Sequence, residues 1–290
     1  MPRSPERGSL ARIGIFVGFF VFLLLVWEGL KFIGGDPWRT DTWTWEPPLE
    51  IWFASDLLLP HVWDIFGALA NPVQRGADES LAQFLLGAAL YTWREAAIGF
   101  VVGAIIGIAL AAVFVHSRLL ERAFVPYVIA SQTIPIVALA PMIVFAFGQD
   151  VISVVIIATY LTFFPVTIAM IRGLRSPDPR ALELMRSYAA SRWSVLWKLR
   201  MPASLPYLFT ALKISATASI VGAIVGEGPG GIPDGLGRAI INFNSQYISG
   251  PEKLWAAIVA CAILGIAFFS LIRVAEIVAL RGRGMRTEAA

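Results

Sequence analysis

AAIGFVVGAIIGIALAAVFV, residues Ala96–Val115, runs for twenty positions without a charge or a proline. As a helix rising about 1.5 Å per residue it reaches about 30 Å, the thickness of a bilayer's hydrocarbon core. Lipid offers no partner to a backbone N–H or C=O, so a segment that crosses must satisfy both internally, and a helix does. On either side, five further stretches meet or approach this length: Ile13–Leu30, Ala123–Phe147, Val151–Ile171, Ala203–Gly226 and Leu254–Ile272. Glu28 lies near the end of the first, and Lys213 interrupts the fifth, where its long stem can snorkel to an interface. The expected fold is all-α, a polytopic membrane protein with six transmembrane helices. A long outer connection follows the first helix, and a cytoplasmic segment joins the fourth to the fifth.

Composition excludes the soluble alternatives. Of 290 residues, 57% are apolar and 15% charged, at a mean hydropathy of +0.72, whereas soluble chains carry about 25% charged residues. The apolar runs leave no stretch long enough for a separate catalytic domain. The single cysteine, Cys261, falls inside one of them, so neither an intrachain disulfide nor a zinc spacing exists. His61 and His116 are isolated, lie outside the spans and lack ligand-spaced partners. Arg3, Arg7 and Arg12 before the first span look like a signal-peptide head, but the core is long for one and no small-x-small cleavage pattern follows at Lys31–Trp38. We read an uncleaved helix.

The net charge of +3 reflects topology rather than nucleic-acid binding. The N-terminal tail, the second-to-third connection, the fourth-to-fifth connection and the C-terminal tail together hold sixteen lysines and arginines; the opposite connections hold five, Lys31, Arg39, Arg75, Arg238 and Lys253. The positive-inside bias puts both termini in the cytoplasm. The outer connection, 32–90, interleaves Trp38, Trp43, Trp45, Trp52 and Trp63 with acidic residues such as Asp36, Asp41, Asp56 and Asp64. That pattern suits a segment at the headgroup level, with an aromatic ligand platform as the alternative. Three regions result: 1–90, tail, first helix and Trp-rich connection; 91–280, the membrane core with an ordered inner segment at 178–202; and 281–290, a basic cytoplasmic tail.

Between the fourth and fifth spans, Asp178 before Pro179 is an N-cap followed by an N1 proline. Leu182, Met185, Ala189, Trp193 and Leu196 then recur at steps of three and four, forming one apolar stripe. Ser191 is a second cap, so two short helices with a bend near Ala189–Ala190 are expected before Pro202 and Pro206 open the fifth span. By pattern alone this is either a helix resting on the inner membrane surface or one received by another protein, with Tyr188 and Trp193 as anchors.

Polar groups inside spans need partners or a watered path. Ser131, Gln132 and Thr133 sit beside Pro135, which breaks the backbone ladder, and Ser215, Thr217 and Ser219 fall in the fifth span. Each is a translocation-path candidate or an interhelical hydrogen bond. Glu28, Arg94 and Glu95, at span ends, read as snorkelled or paired interfacial charges, and Gly99, Gly103 and Gly107, four residues apart, as close helix packing.

The stretch ELMRSYA at Glu183–Ala189, nine residues, then LRMP at Leu199–Pro202 resembles the EAA signature of binding-protein-dependent ABC transporter permeases. That signature is EAA, three residues, Gly, nine residues, Ile-x-Leu-Pro. Leu184 and Met185 replace its two alanines, Ala189 its glycine, Leu199 its isoleucine and Met201 its leucine. PYVIASQTIPIVALAPMIVFAFG at Pro126–Gly148, FFPVTIAMIRGLRSPDP at Phe163–Pro179, MPASLPYLFTALKISA at Met201–Ala216, and IVGAIVGE at Ile220–Glu227 with GLG at Gly235–Gly237 resemble the nitrate, sulfonate and taurine permease group.

The resemblance implies the transmembrane subunit of an importer in the bacterial cytoplasmic membrane. Two such subunits, expected as a homodimer, form the pore; two separate ABC ATPases bind below, and an external binding protein delivers substrate. Glu183, Met185, Tyr188, Ala189, Trp193 and Pro202 then couple to the ATPase. No G-x-x-x-x-G-K-[ST] loop is present, so ATP and Mg belong to the partner and this chain is expected to carry no cofactor and no enzyme site. An ion-coupled secondary transporter would call for acidic groups near mid-membrane or duplicated halves with broken helices, and a membrane enzyme for convergent His, Asp, Glu or Cys; neither pattern is evident. SPDPRALELMRSYAASRW and GPEKLWA look like permeases for riboflavin or thiamine pyrimidine precursors, with sulfonate, taurine or nitrate as the alternative.

The topology predicts that a cysteine placed near Gly76 is labelled from outside the cell and one near Ser176 only after permeabilisation; labelling of the Ser176 site from outside would overturn it.

Overall fold

The structure, a computed structural model, describes residues 5–39, 44–74, 76–230, 232 and 234–281. Arg3, Asp41, Trp43, Arg75, Arg283 and Arg286 lie outside the described residues, as does the rest of the basic tail after Arg281. Of Arg7, Arg12 and Arg39 only the backbone is described. The chain runs through α1 (Pro5–Gly34), the strands β1 (Trp38–Arg39) and β2 (Thr44–Trp45), α2 (Val62–Ala68), α3 (Leu81–His116), α4 (Arg118–Ser131) and α5 (Ile136–Phe147). It continues with α6 (Val151–Leu174), α7 (Pro179–Ser187), α8 (Arg192–Val195), α9 (Met201–Gly230), α10 (Leu236–Ser245) and α11 (Pro251–Arg281).

Five helices are long and apolar enough to cross a membrane: α1, α3, α6, the run from α8 through α9, and α11; the pair α4 and α5 makes a sixth when taken as one broken span. The fold is therefore an all-α polytopic membrane protein, with one departure from six simple spans. The third is bent by 97° between Ser131 and Ile136. Pro135, in extended backbone at ψ 120°, has no N–H to donate and sterically bars Ile134 from helical geometry, so the ladder stops and restarts.

Two compact units divide the chain, Met1–Phe84 with Asn242–Ala256, and Leu85–Ile241 with Ala257–Ala290. In the first, Lys31 is fully buried and donates to Leu59 O at 2.7 Å, to the Asp56 carboxylate and, at 3.4 Å, to Ala54 O. Glu28 lies 2.8 Å from His61 Nδ1 and accepts from the Val62 N–H at 2.8 Å. His61 stacks on Trp63 at 4.1 Å and meets Trp38 edge-on at 4.8 Å, while Trp45 stacks on Phe32 at 4.6 Å. The tryptophans thus do more than float at the interface. Trp38 and Trp63 pack on His61, which is therefore not isolated, Trp45 covers Phe32, and Trp52 stays 79% exposed. The connection is also shorter than expected, since α1 runs to Gly34 and α3 starts at Leu81.

In the second unit α6 is the central post. A Cβ on Gly99, Gly103 or Gly107 of α3 would lie 2.4 to 2.8 Å from Ala158, Thr162 or the Phe163 carbonyl of α6, and one on Gly222 or Gly226 of α9 would lie 3.0 to 3.1 Å from Ala158 or Ile157. The four-residue glycine spacing is therefore close packing, as its period implied. Phe100 and Phe268 meet edge-on at 5.1 Å beside Val154 and Ile220. Lys213 does not snorkel: its Nζ pairs with Glu276 Oε2 of α11 at 2.8 Å, and Glu276 is 7% exposed. Lys213 is half-buried, and its charge is met by a carboxylate within the helix bundle.

Breaking one half of a fully buried pair strands the other, at a cost of about 3–5 kcal/mol, and less where one partner reaches solvent, as Lys213 does at 23% exposure, whereas replacing both with apolar groups is often neutral. Glu276→Ala is therefore expected to lower the unfolding midpoint of the detergent-purified chain sharply, and Lys213→Met with Glu276→Leu to restore most of it. Equal losses in the single and double variants would show that the pair does not act as a unit.

Candidate functional site

The segment between α6 and α9 folds from its own local chemistry. Asp178 accepts from the Arg180 N–H at 2.8 Å, and Pro179 occupies the first helical position, so α7 starts there. It ends with Ala189 N–H donating to Arg186 O and Ala190 N–H to Met185 O, the paired C-terminal bonds of a Schellman turn. That turn needs a left-handed residue, and Ala189 supplies it at φ 50°. The family signature has glycine here, and alanine makes the same bend at a cost of roughly 1 kcal/mol. Ser191 Oγ then accepts from the Ser194 N–H at 3.2 Å and starts α8. One wider-wound turn, Leu196–Arg200, carries the helix on into α9. The fifth span is thus a continuation of α8, and Pro202 sits in its run rather than at its start.

Exposure sorts the residues on this segment. Leu196 is buried against Met170 and Leu174 at the end of α6, while Met185 is half-buried and Glu183 and Ala189 are exposed. Tyr188 is 78% exposed and Trp193 69%, with His116 of α3 at 6.1 Å from the Trp193 ring. The expected apolar stripe therefore splits: Leu196 fastens the segment, Leu182 and Met185 are half-buried, and Trp193 projects, as does Tyr188 outside the stripe.

The path candidates also separate. Ser131, Gln132 and Thr133 occupy the break between α4 and α5; Ser131 Oγ donates to Val128 O and Thr133 Oγ1 to Ala130 O, and the Tyr160 hydroxyl of α6 donates to Ser131 O. Gln132 Nε2 is buried without a hydrogen-bond partner among the described residues. In α9, Ser215 and Ser219 are fully buried; Ser215 Oγ lies 3.4 Å from Thr162 O of α6, and Ser219 Oγ donates to Ala216 O. Thr217 is exposed on the other side of the helix.

One cluster is not visible in the sequence pattern. Glu95 is expected there as an interfacial charge, yet it is 1% exposed, because the apolar run begins at Leu81 and places it well inside a 36-residue helix. It faces Tyr91 and the equally buried Glu227 of α9, and its own two oxygens have no hydrogen-bond partner among the described residues. The apolar stretch LAQFLLGAAL before Glu95 is the signal that points to its depth. Next to it, Leu236 N–H donates to Thr92 Oγ1 at 2.9 Å and Gly237 N–H to Glu227 Oε2 at 2.7 Å, pinning the first turn of α10 between α3 and α9. The GLG triplet is required by this contact: Gly235 has φ +98°, with a would-be Cβ 2.3 Å from Glu227 Cδ, and one on Gly237 would stand 2.2 Å from Ile224 O. The four N-terminal amides of a helix need acceptors, and Thr92 and Glu227 supply two. No group of three or more metal-binding side chains occurs among the described residues.

A family model described as the binding-protein-dependent transport system inner membrane component matches residues 100–278. The formylaminopyrimidine transport permease protein of Halalkalibacterium halodurans is 35% identical over 186 residues, which is 64% of this chain and 73% of that one. The riboflavin transport system permease protein of Chloroflexus aurantiacus is 34% identical over 156 residues, 54% of this chain and 57% of its own. The nitrate import permease protein of Leptolyngbya laminosa is 24% identical over 210 residues, 72% of each.

Glu227→Ala removes the acceptor of a buried N–H, a loss of about 1–3 kcal/mol, and Glu227→Gln keeps one. Hydrogen exchange of the 236–239 amides is expected to speed up markedly in the alanine variant and little in the glutamine variant; unchanged protection in both would contradict the pinning.

Proposed function

We propose, from the premise that this chain belongs to the binding-protein-dependent transport system inner membrane components, the permeases of ABC importers, that it forms half of a translocation path for a vitamin or vitamin precursor. A riboflavin-like or thiamine pyrimidine compound is the preferred substrate, supported by relatives named for formylaminopyrimidine and riboflavin transport; nitrate, sulfonate or taurine is the second reading, supported by the nitrate import relative. As family membership implies, an ATPase and a substrate-binding protein complete the transporter. Two copies of this chain form the pore with two copies of the ATPase, both termini face the cytoplasm, and ATP and Mg bind the partner alone. Substrate passes the break at Ser131, Gln132 and Thr133 and the face of α9 that carries Thr217, with Ser215 and Ser219 holding the helices beside it.

The observation that carries the coupling role is the exposure of Tyr188 and Trp193 on either side of the Ala189 bend. Large aromatic rings left in water cost free energy unless a partner covers them, and such anchors dominate interfaces. Met185 joins the same docking surface, Glu183 orients α7, and Pro202 stiffens the first turn of α9. A helix lying on the membrane surface would expose the same rings to headgroups. Central aromatics typically cost at least about 2 kcal/mol when truncated, roughly thirtyfold in affinity. Tyr188→Ala and Trp193→Ala are therefore expected to abolish transport and release the ATPase while the chain stays in the membrane, with Glu183→Ala milder. Normal assembly and transport in both aromatic variants would leave the surface-helix account.

A further inference from the structure

A cavity of about 820 Å³ opens between the ends of α3 and α6, the first turns of α4, α7 and the turn that leads into α9. Arg118, Arg122, Arg175 and Arg200 line it together with one carboxylate, Glu121, which is already paired with Arg175. Arg175 and Arg186 turn further like charge on Arg200. Beneath the guanidinium groups the lining is apolar, with Val115, Val125 and Leu174 among its walls. A positive-inside bias accounts for arginines in the second-to-third and fourth-to-fifth connections but not for four of them converging on one hollow. Helix stability does not account for them either. Arg118 and Arg122 stand in the first turns of α4, at the positive end of its dipole, where cations are disfavoured and an anion is favoured.

We propose that this cavity binds a phosphate-bearing anion, and that its occupant is the headgroup of an anionic phospholipid whose acyl chain follows the apolar wall. Guanidinium forks match phosphate oxygens in pairs, and the cavity lies where span ends meet the headgroups, so the polar and apolar halves of the site match the two halves of such a lipid. The site does not depend on which compound is transported.

The test uses the full chain, purified in detergent and in nanodiscs, with phosphatidylglycerol and phosphatidylcholine as probes and native mass spectrometry as readout. Phosphatidylglycerol is expected to be retained about tenfold more than phosphatidylcholine, and Arg118→Gln with Arg122→Gln to erase that preference, since removing one charge-assisted hydrogen bond weakens binding roughly tenfold. Arg180→Gln with Arg192→Gln, the same charge change outside the cavity, is expected to keep it. If lipid is not selected but millimolar inorganic phosphate raises the unfolding midpoint of the wild-type chain and not of the Arg118 and Arg122 variant, the phosphate site stands and its source is solution. No discrimination between the lipids together with no effect of phosphate, both read on the wild-type chain, overturns the proposal. So does an equal loss in the two double variants, which would mark a general basic-surface effect.

Discussion

Helices surrounded by lipid gain almost nothing by burying one aliphatic side chain against another, since the acyl chains are equally apolar. What holds them together is the closeness of backbone to backbone. Here that closeness rests on small residues facing α6 from both sides, Gly99, Gly103 and Gly107 on α3 and Gly222 and Gly226 on α9. Everything else hangs on that arrangement. Ser215 reaches Thr162 O, Thr159 reaches Gly99 O at 3.2 Å, and Glu95 comes to face Glu227, because three helices stand nearer than larger side chains would permit.

Local chemistry and long-range pairing are not equally visible in the amino-acid string. Asp178, Pro179 and Ser191 announce their helix starts through bonds made two or three residues away, so α7 and α8 can be placed from pattern. The glycine repeat in α3 likewise carries its meaning in its period. Glu28, Lys31, Lys213 and Glu95 do not. Lys31 finds Asp56 after 25 residues, Glu28 finds His61 after 33, and Lys213 finds Glu276 after 63; until those partners are known, each reads as a charge at or near an interface. The bend in the third span lies between these cases: Pro135 marks the break, but not its angle.

Ala189 shows what a departure from a family signature can mean. The bend survives without the glycine because the two C-terminal bonds of α7 and the cap at Ser191 hold the backbone from both sides, and an alanine methyl is the smallest group that must then tolerate left-handed geometry. A β-branched residue at this position would add a second clash to the same turn.

From Arg192 to Gly230 the chain stays helical, through α8, the wider turn and α9, a length of about 58 Å at 1.5 Å per residue. One end carries Trp193, exposed; near the other, Glu227 grips the first turn of α10. The helical run is unbroken, and its softer points are the wide turn at Leu196–Arg200 and the rungs that Pro202 and Pro206, having no N–H, leave out of the ladder. A displacement of the end that bears Trp193 would reach the far end as tilt or torque about the glycine-lined seam with α6.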